Sequence, residues 1–122
     1  MGVKVQFWLE QEGELILGKG RKELLSLMVE LGSLRKAASR LGMSYRAAWG
    51  KIRETEKLLG WRLVESCKGS RRLTLTPEGA QLLERFQLFE QEATWEVQRI
   101  FRKHFPQADT DTSAQLSTPE GH

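Results

Sequence analysis

Basic side chains are concentrated in one segment in the middle of this 122-residue sequence. Residues 33–76 contain eleven lysines and arginines against three acids, a local net charge of +8, whereas the whole chain carries only +3. Cationic side chains gathered in this way attract a polyanion such as the phosphate backbone of a nucleic acid. A solvated basic face is the alternative, but it would not need to coincide with the helical pattern that the same residues show.

That segment has the pattern of two short helices joined by a tight turn. Gly42 falls where a helix C-terminus favours glycine, and Ser44 is a candidate N-cap for the next helix. Apolar residues recur at three- and four-residue spacing: Leu34, Ala37, Ala38 and Leu41 in the first helix, then Tyr45, Ala48, Trp49, Ile52 and Leu59 in the second. The pattern predicts a helix-turn-helix, whose second helix commonly enters the DNA major groove by its N-terminal end. Any other amphipathic helical hairpin would show the same spacing. The charge distribution favours DNA binding over that alternative.

A basic hairpin is predicted directly after the second helix. Arg62–Ser66 and Arg72–Leu75 have the composition of short strands, and Gly69 supplies the turn between them. In a winged helix such a hairpin lies along the phosphate backbone or in an adjacent minor groove, whereas the alternative is an ordinary surface hairpin. The exposed basic residues at its tip are Lys68, Arg71 and Arg72.

A long helix is predicted over residues 77–105. Thr76 is its N-cap, Pro77 takes its first position, and Pro106 ends it. Such a helix would be about 40 Å long, more than a domain of this size covers alone, so we predict a homodimer joined through it. Packing wholly on its own domain is the alternative. The residues of the predicted dimerisation seam are Leu82, Phe86, Phe89, Ala93, Val97 and Ile100.

The elements before the basic segment are predicted to support it. Alternating apolar residues predict a strand from Val3 to Glu10, and Leu15–Leu17 gives a second, short strand. A two-stranded ribbon is marginal alone, so it should dock on the helices or pair with another subunit. Arg21–Leu31 is predicted as a core helix, ended by Gly32 and buried through Leu24, Leu25, Leu27, Met28 and Leu31.

The whole chain is predicted to be mainly α with small β hairpins. Residues 1–106 are expected to form one domain and residues 107–122, which are polar, a disordered tail. No run of about 18 apolar residues predicts a membrane span, and the N-terminus lacks a signal-peptide pattern. A single cysteine, Cys67, suggests a reducing, cytoplasmic setting without disulfides.

Chemistry beyond binding is not expected of this chain. His104 and His122 lie outside any cluster of metal ligands, and no glycine-rich phosphate loop is present, so no enzyme activity, metal or cofactor is predicted. Cys67 lies among basic residues that would lower its pKa and suit a redox sensor. The alternative is that the Cys67 side chain only fills space within the wing.

Two sets of residues resemble known regulators. Ala37-Ala38, Leu41, Ser44, Ile52, Glu56, Leu59-Gly60, Leu63-Val64 and Arg72 through Gly79 resemble the winged helix-turn-helix of LysR-type regulators. A closer resemblance is to the N-terminal domain of the molybdate-responsive ModE regulators, through Gly32-Ser33-Leu34, Ala37-Ala38, Gly42 through Arg46 and Ala48-Trp49. The resemblance covers roughly residues 15–105, and Ser44–Trp49 is its most specific part.

The ModE resemblance implies a domain that binds operator DNA as a dimer through its terminal helices. It implies that Ser44, Tyr45, Arg46, Gly50 and Arg53 face the groove and that the wing's basic residues contact phosphates. Two departures are present. No molybdate-binding domain follows, so oxyanion sensing by this polypeptide alone is not expected, and the family's longer, glycine-rich wing is replaced by a short one with Gly69.

The prediction is therefore a homodimeric, sequence-specific double-stranded DNA-binding transcription regulator. Its best candidates for paired hydrogen bonds to guanine are Arg46 and Arg53, and Trp49 is expected to favour the core. The alternative is a winged-helix protein-interaction adaptor with only non-specific DNA binding. The predicted DNA contacts are Arg35, Ser44, Tyr45, Arg46, Gly50, Lys51, Arg53, Lys68, Arg71 and Arg72.

Overall fold

A computed structural model describes residues 1–107 of the chain. Apart from Gln107, the tail predicted as disordered lies outside these residues. The described chain divides into two compact units, one of Phe7–Phe86 and one of Met1–Gln6 with the residues from Gln87 onward. The elements, in chain order, are β1 (Leu9–Gln11), β2 (Glu14–Leu17), α1 (Lys19–Leu31), α2 (Leu34–Arg40), α3 (Tyr45–Leu59), β3 (Val64–Ser66), β4 (Leu73–Leu75) and α4 (Pro77–His104). This is the predicted class, a mainly helical winged helix-turn-helix with small hairpins and a long last helix.

The core of the larger unit lies where α1, α2 and α3 pack on one another and on β4. The apolar stripes predicted from the spacing face inward, although Leu27 and Leu31 of α1 are only partly buried. The buried apolar residues of these three helices are Leu24, Leu25 and Met28 of α1, Leu34, Ala37 and Ala38 of α2, and Ala48 and Ile52 of α3. The small alanines let the helices approach closely, which fixes α3 on the other two.

Serine caps begin both helices of the helix-turn-helix. The Ser33 hydroxyl accepts a hydrogen bond from the Lys36 N–H at 3.1 Å, and the Ser44 hydroxyl accepts one from the Ala47 N–H at 3.0 Å. Between them Gly42 has a φ of +71°, which glycine adopts without steric cost. The predicted turn and the predicted cap of α3 are both confirmed.

The predicted N-terminal strand is too long. Only Leu9–Gln11 is a strand, while residues 1–8 are not. Leu9 is paired with Leu17, the last residue of β2, and α1 begins two residues later at Lys19. Residues before Leu9 therefore have no partner strand, and alternation of apolar residues alone does not make a strand without one.

The β1–β2 hairpin docks on the helices, as predicted. The buried Thr55 hydroxyl of α3 donates to the Ile16 carbonyl at 3.0 Å, and the Gln11 side chain donates to the Leu58 carbonyl at 2.6 Å. Arg21 of α1 donates to the Leu15 carbonyl at 2.8 Å and to the Thr55 hydroxyl at 3.1 Å. These bonds tie the hairpin to the side of α3 that faces the core.

The second hairpin, β3–β4, is the predicted wing with shorter strands. Val64 pairs with Leu75 and Ser66 with Leu73, so Arg62 and Arg72 lie just outside the strands. The Ser70 N–H donates to the Cys67 carbonyl at 3.0 Å, closing a four-residue turn. Gly69, third in that turn, has the positive φ of +74° that a type II turn requires there.

Hydrogen bonds of Thr76 hold the start of α4 against Leu63, the residue before β3. The Thr76 hydroxyl accepts a hydrogen bond from the Gly79 N–H at 2.9 Å, and the Thr76 N–H donates to the Leu63 carbonyl at 2.8 Å. A Cβ on Gly79 would lie 2.5 Å from the Leu63 carbonyl oxygen. Only glycine therefore allows the first turn of α4 to lie so close to this backbone.

Leu83 and Phe86 of α4 are buried in the core of the larger unit. In the smaller unit, the Gln98 side chain donates to the Val3 carbonyl at 3.1 Å, and the rings of Phe101 and Phe105 stack with centroids 5.0 Å apart. Within residues 1–107 no helix is both long and apolar enough to cross a membrane.

Candidate nucleic-acid interface

One exposed row of α3 carries the residue types that could contact DNA. Arg46, Gly50, Arg53 and Lys57 are exposed, and at about 100° per residue their Cα positions fall within about 60° around the helix axis. We call these four residues the α3 row. Ala48, Ile52 and Thr55 are buried on the other side. The core therefore holds α3 so that the row faces away from it.

The acids of α3 do not neutralise the row. Glu54 pairs with Arg21 of α1 at 2.7 Å. Glu56 is only 8% exposed, and its carboxylate accepts hydrogen bonds from the backbone N–H groups of Leu63 and Val64. Within residues 1–107, Arg46 and Lys57 form no ion pair. Their charge is available to an external anion.

Two arginines lie over aromatic rings beside the row. The guanidinium of Arg35 lies 4.3 Å from the centroid of the Tyr45 ring, and that of Arg53 lies 5.6 Å from the Trp49 ring. Both aromatic residues are partly buried and pack against the core, as expected for Trp49. Stacking on a ring restricts a guanidinium while leaving its N–H donors free for other acceptors.

The remaining predicted contacts on α3 differ in position. Ser44 is exposed at the helix N-terminus, where its hydroxyl accepts the capping bond and can still donate its own proton. Lys51 is also exposed, but it lies about 130° around the helix from the middle of the α3 row. The structure thus brings Arg46, Gly50 and Arg53 together, places Ser44 at the N-terminus of the helix and leaves Lys51 apart from them.

The wing adds exposed basic residues. Lys68, Arg71 and Arg72 surround the turn at Gly69 and are all exposed. Hydrogen bonding from the Arg72 side chain, and then from Thr74, lowers the pKa of the Cys67 thiol. The direction is the one that the basic neighbourhood of Cys67 predicts, and Cys67 is a free cysteine.

The sequence interpretation missed the structural role of Glu56. Its carboxylate oxygen lies 2.7 Å from the Leu63 nitrogen, 3.2 Å from the Val64 nitrogen and 3.4 Å from Nε of Arg62. Glu56 therefore links α3 directly to the start of the wing. The sequence did contain a signal of this buried role, because Glu56 lies four residues after Ile52, on the apolar stripe of α3.

The residues predicted for a dimerisation seam fall into two groups. Phe86 is 2% exposed and Leu82 packs against the same core, so these two stabilise the winged-helix unit itself. Farther along α4, Phe89 is 50% and Ile100 46% exposed, while Ala93 and Val97 are partly buried. Only the later part of the predicted seam presents a large apolar surface.

Residues 1–107 contain no group of three or more histidine, cysteine or acidic side chains that could hold a metal ion. The arrangement described above contains cations, aromatic rings and a helix N-terminus instead. It is suited to binding an extended anion.

Comparison with known proteins agrees with this geometry. Residues 23–80, just under half of the chain, match the family described as "Bacterial regulatory helix-turn-helix protein, lysR family". Comparison with curated protein sequences gave no match.

Several solved structures are similar to parts of the chain. A transcriptional regulator of the LysR family from Eggerthella lenta is 23% identical over 57% of this chain and 96% of its own, with a TM-score of 0.49. ArgP from Mycobacterium tuberculosis is 29% identical over 65% of this chain, and CrgA, a LysR-type transcriptional regulator from Neisseria meningitidis, is 30% identical over 71%, each with a TM-score of 0.46. The chain spans only 30% of ArgP and 29% of CrgA.

The matched segment runs from α1 through both helices of the helix-turn-helix and the wing to the first turn of α4. Residues 23–80 are therefore similar to the helix-turn-helix domain of the LysR family of bacterial regulators.

Proposed function

We propose that the chain is a homodimeric transcription regulator that binds specific sequences in double-stranded DNA. The observation that carries the proposal is the α3 row. It presents Arg46 and Arg53 on the exposed side of the second helix of a helix-turn-helix, with no acid of α3 set against them. Such a helix reads base edges in the major groove.

Each predicted contact has a proposed role. Arg46 and Arg53 donate paired hydrogen bonds to guanine, each worth about 1–3 kcal/mol of discrimination. Ser44 and Tyr45 anchor phosphates at the start of α3, and Arg35, stacked on the Tyr45 ring, adds a cation beside them. The contacts assigned to the phosphate backbone are those of Lys51 and of the wing residues Lys68, Arg71 and Arg72.

Gly50 has a separate role in this proposal. A Cβ at this position would meet no atom within 4 Å, so the fold does not need glycine there. Glycine inside a helix costs about 0.5–1 kcal/mol relative to alanine. A bare backbone in the middle of the α3 row lets the helix approach the base edges closely, which accounts for a residue that otherwise lowers stability.

The homodimer is proposed to form through the later part of α4. Large apolar side chains that are about half exposed, such as Phe89 and Ile100, favour contact with a second copy of the helix. Two recognition helices related by two-fold symmetry would read half-sites about 34 Å apart along the duplex. We therefore expect a pseudo-palindromic operator.

The resemblance of Ser44–Trp49 to ModE regulators supports a second, finer proposal, that this domain is ModE-like within the broader LysR type. The geometry of Ser44 as helix cap and Trp49 as core-packed residue accommodates it. We propose action in the cytoplasm, where bacterial operator DNA lies, without a metal or cofactor bound by residues 1–107.

A selection from random duplexes tests the proposal. We expect enrichment of a motif with two half-sites about 10 base pairs apart, centre to centre, in inverted orientation. Failure to enrich any motif, together with equal affinity for unrelated duplexes, would favour the interaction adaptor instead.

A further inference from the structure

The basic surface of the α3 row continues beyond the C-terminal end of α3. An open depression there is lined by Arg53, Lys57, Gly60, Trp61 and Arg62. Lys57 and Arg62 are exposed, and Trp61, a large aromatic side chain, is 37% exposed. Three of these residues, Lys57, Trp61 and Arg62, are not among the predicted DNA contacts.

The acids that border this depression are already engaged. Glu54 is paired with Arg21 at 2.7 Å. Glu56 accepts from the backbone N–H groups of Leu63 and Val64, and its remaining contact is Nε of Arg62 at 3.4 Å. The depression therefore presents basic side chains that retain hydrogen-bond donors for an anion.

The length of α3 indicates which anion would bind at this depression. Lys57 follows Arg46 by eleven residues, about 16 Å along the helix axis, whereas the major groove is about 12 Å wide. If Arg46 reads bases inside the groove and the axis of α3 runs across it, Lys57 lies at or beyond the groove's edge, where the sugar–phosphate strand runs. An aromatic ring in the same depression as two cations also matches that strand, because apolar deoxyribose faces alternate with phosphates.

We infer that Lys57, Trp61 and Arg62 form a clamp for the DNA backbone at the edge of the groove. This inference rests on the proposed function. The clamp contributes affinity that is independent of base sequence, with Lys57 and Arg62 neutralising phosphates and the Trp61 ring packing on a sugar. Glu56 positions Arg62 through the contact between their side chains.

The test uses the full chain, a selected duplex and a scrambled duplex, with fluorescence anisotropy over a salt series. For Lys57→Ala, we expect the slope of log affinity against log salt to fall by about 0.9 on both duplexes, with their affinity ratio unchanged. For Trp61→Leu, which keeps an apolar side chain at the partly buried site, we expect weaker binding to both duplexes and an unchanged slope. Lys19→Ala, which removes an exposed charge at the start of α1, is the matched control and should change neither.

The outcomes separate this inference from the proposed function. Wild-type affinity and slope in both Lys57→Ala and Trp61→Leu, with the selected duplex still preferred, would overturn the clamp and leave the regulator intact. Absence of any preference in the wild type would overturn the regulator. In that case the salt dependence of Lys57→Ala on non-specific DNA would still test the clamp: a reduced slope would support it, and a wild-type slope would overturn it.

Discussion

The carboxylate of Glu56 lies 2.7 Å from the backbone nitrogen of Leu63, joining α3 to the residue just before the first strand of the wing. Both groups are buried. The same Leu63 also accepts the Thr76 N–H through its carbonyl. Leu63 therefore connects α3, the wing and the start of α4, and the position of the wing beside the α3 row depends on these few polar bonds.

Replacing Glu56 with alanine should destabilise the fold strongly. The variant leaves the N–H groups of Leu63 and Val64 without their acceptor, and an unsatisfied buried donor costs about 1–3 kcal/mol. We expect the free energy of unfolding in urea to fall by about 2–6 kcal/mol if both donors are left without an acceptor. Glu84→Ala, at an exposed position of α4, is the control. Equal stability of the two variants would contradict the structural role of Glu56.

Replacing Gly50 with alanine should stabilise the protein but weaken specific DNA binding. The added methyl group meets nothing within 4 Å and removes the entropic penalty of glycine, so we expect a gain of about 0.5–1 kcal/mol in urea unfolding. On DNA the same methyl group would hold α3 away from the base edges, which anisotropy would detect as lower affinity for a selected duplex.

Gly79→Ala is the matched control for that experiment, since it makes the same chemical change inside another helix. Its Cβ would lie 2.5 Å from the Leu63 carbonyl oxygen, so we expect a loss of stability where Gly50→Ala gains it. Unchanged DNA affinity in Gly50→Ala would show that the helix does not approach the groove closely at this residue.

Replacing Ser44 with aspartate should separate its two proposed roles. Aspartate caps a helix about as well as serine, so unfolding stability should change by less than about 0.5 kcal/mol. Its negative charge would repel phosphates at the start of α3, and binding to any duplex should weaken. Ser44→Ala, by contrast, removes the cap, so the free energy of unfolding should fall by about 1 kcal/mol. Full DNA affinity in Ser44→Asp would remove Ser44 from the interface.

Replacing Ile100 with aspartate should dissociate the proposed dimer. A charged carboxylate placed in an apolar seam loses hydration without gaining a partner, so sedimentation velocity should show a monomer. Trp95→Asp is the control: Trp95 is 78% exposed but lies about 140° around α4 from Ile100. A monomeric wild type, or a dimer that survives Ile100→Asp, would contradict the proposed seam.

Local patterns in the sequence were sufficient for much of the fold. The Ser44 cap, the Gly42 turn and the start of α4 at Pro77 each depend on a few neighbouring residues, and all three were predicted correctly. The outward direction of Arg46 and Arg53 followed from helical spacing alone.

Features that depend on distant residues were not predicted. The strand expected from Val3 begins only at Leu9, because β2 offers no partner to the residues before it. The roles of Thr55 and Glu56 depend on backbone groups in other elements. Phe86 continues the spacing of the apolar residues that follow it, but the core of its own unit buries it, and periodicity alone cannot distinguish these surroundings.

The central claim, that Arg46 and Arg53 of the α3 row read bases, is tested most directly by comparing wild type with Arg46→Ala. We would measure anisotropy on a selected and a scrambled duplex over a salt series. The wild type should prefer the selected duplex by about a thousandfold or more. Arg46→Ala should lose that preference while keeping the non-specific binding. Retention of the full preference by Arg46→Ala, with Arg53→Ala equally without effect, would contradict the assignment of this row to the groove.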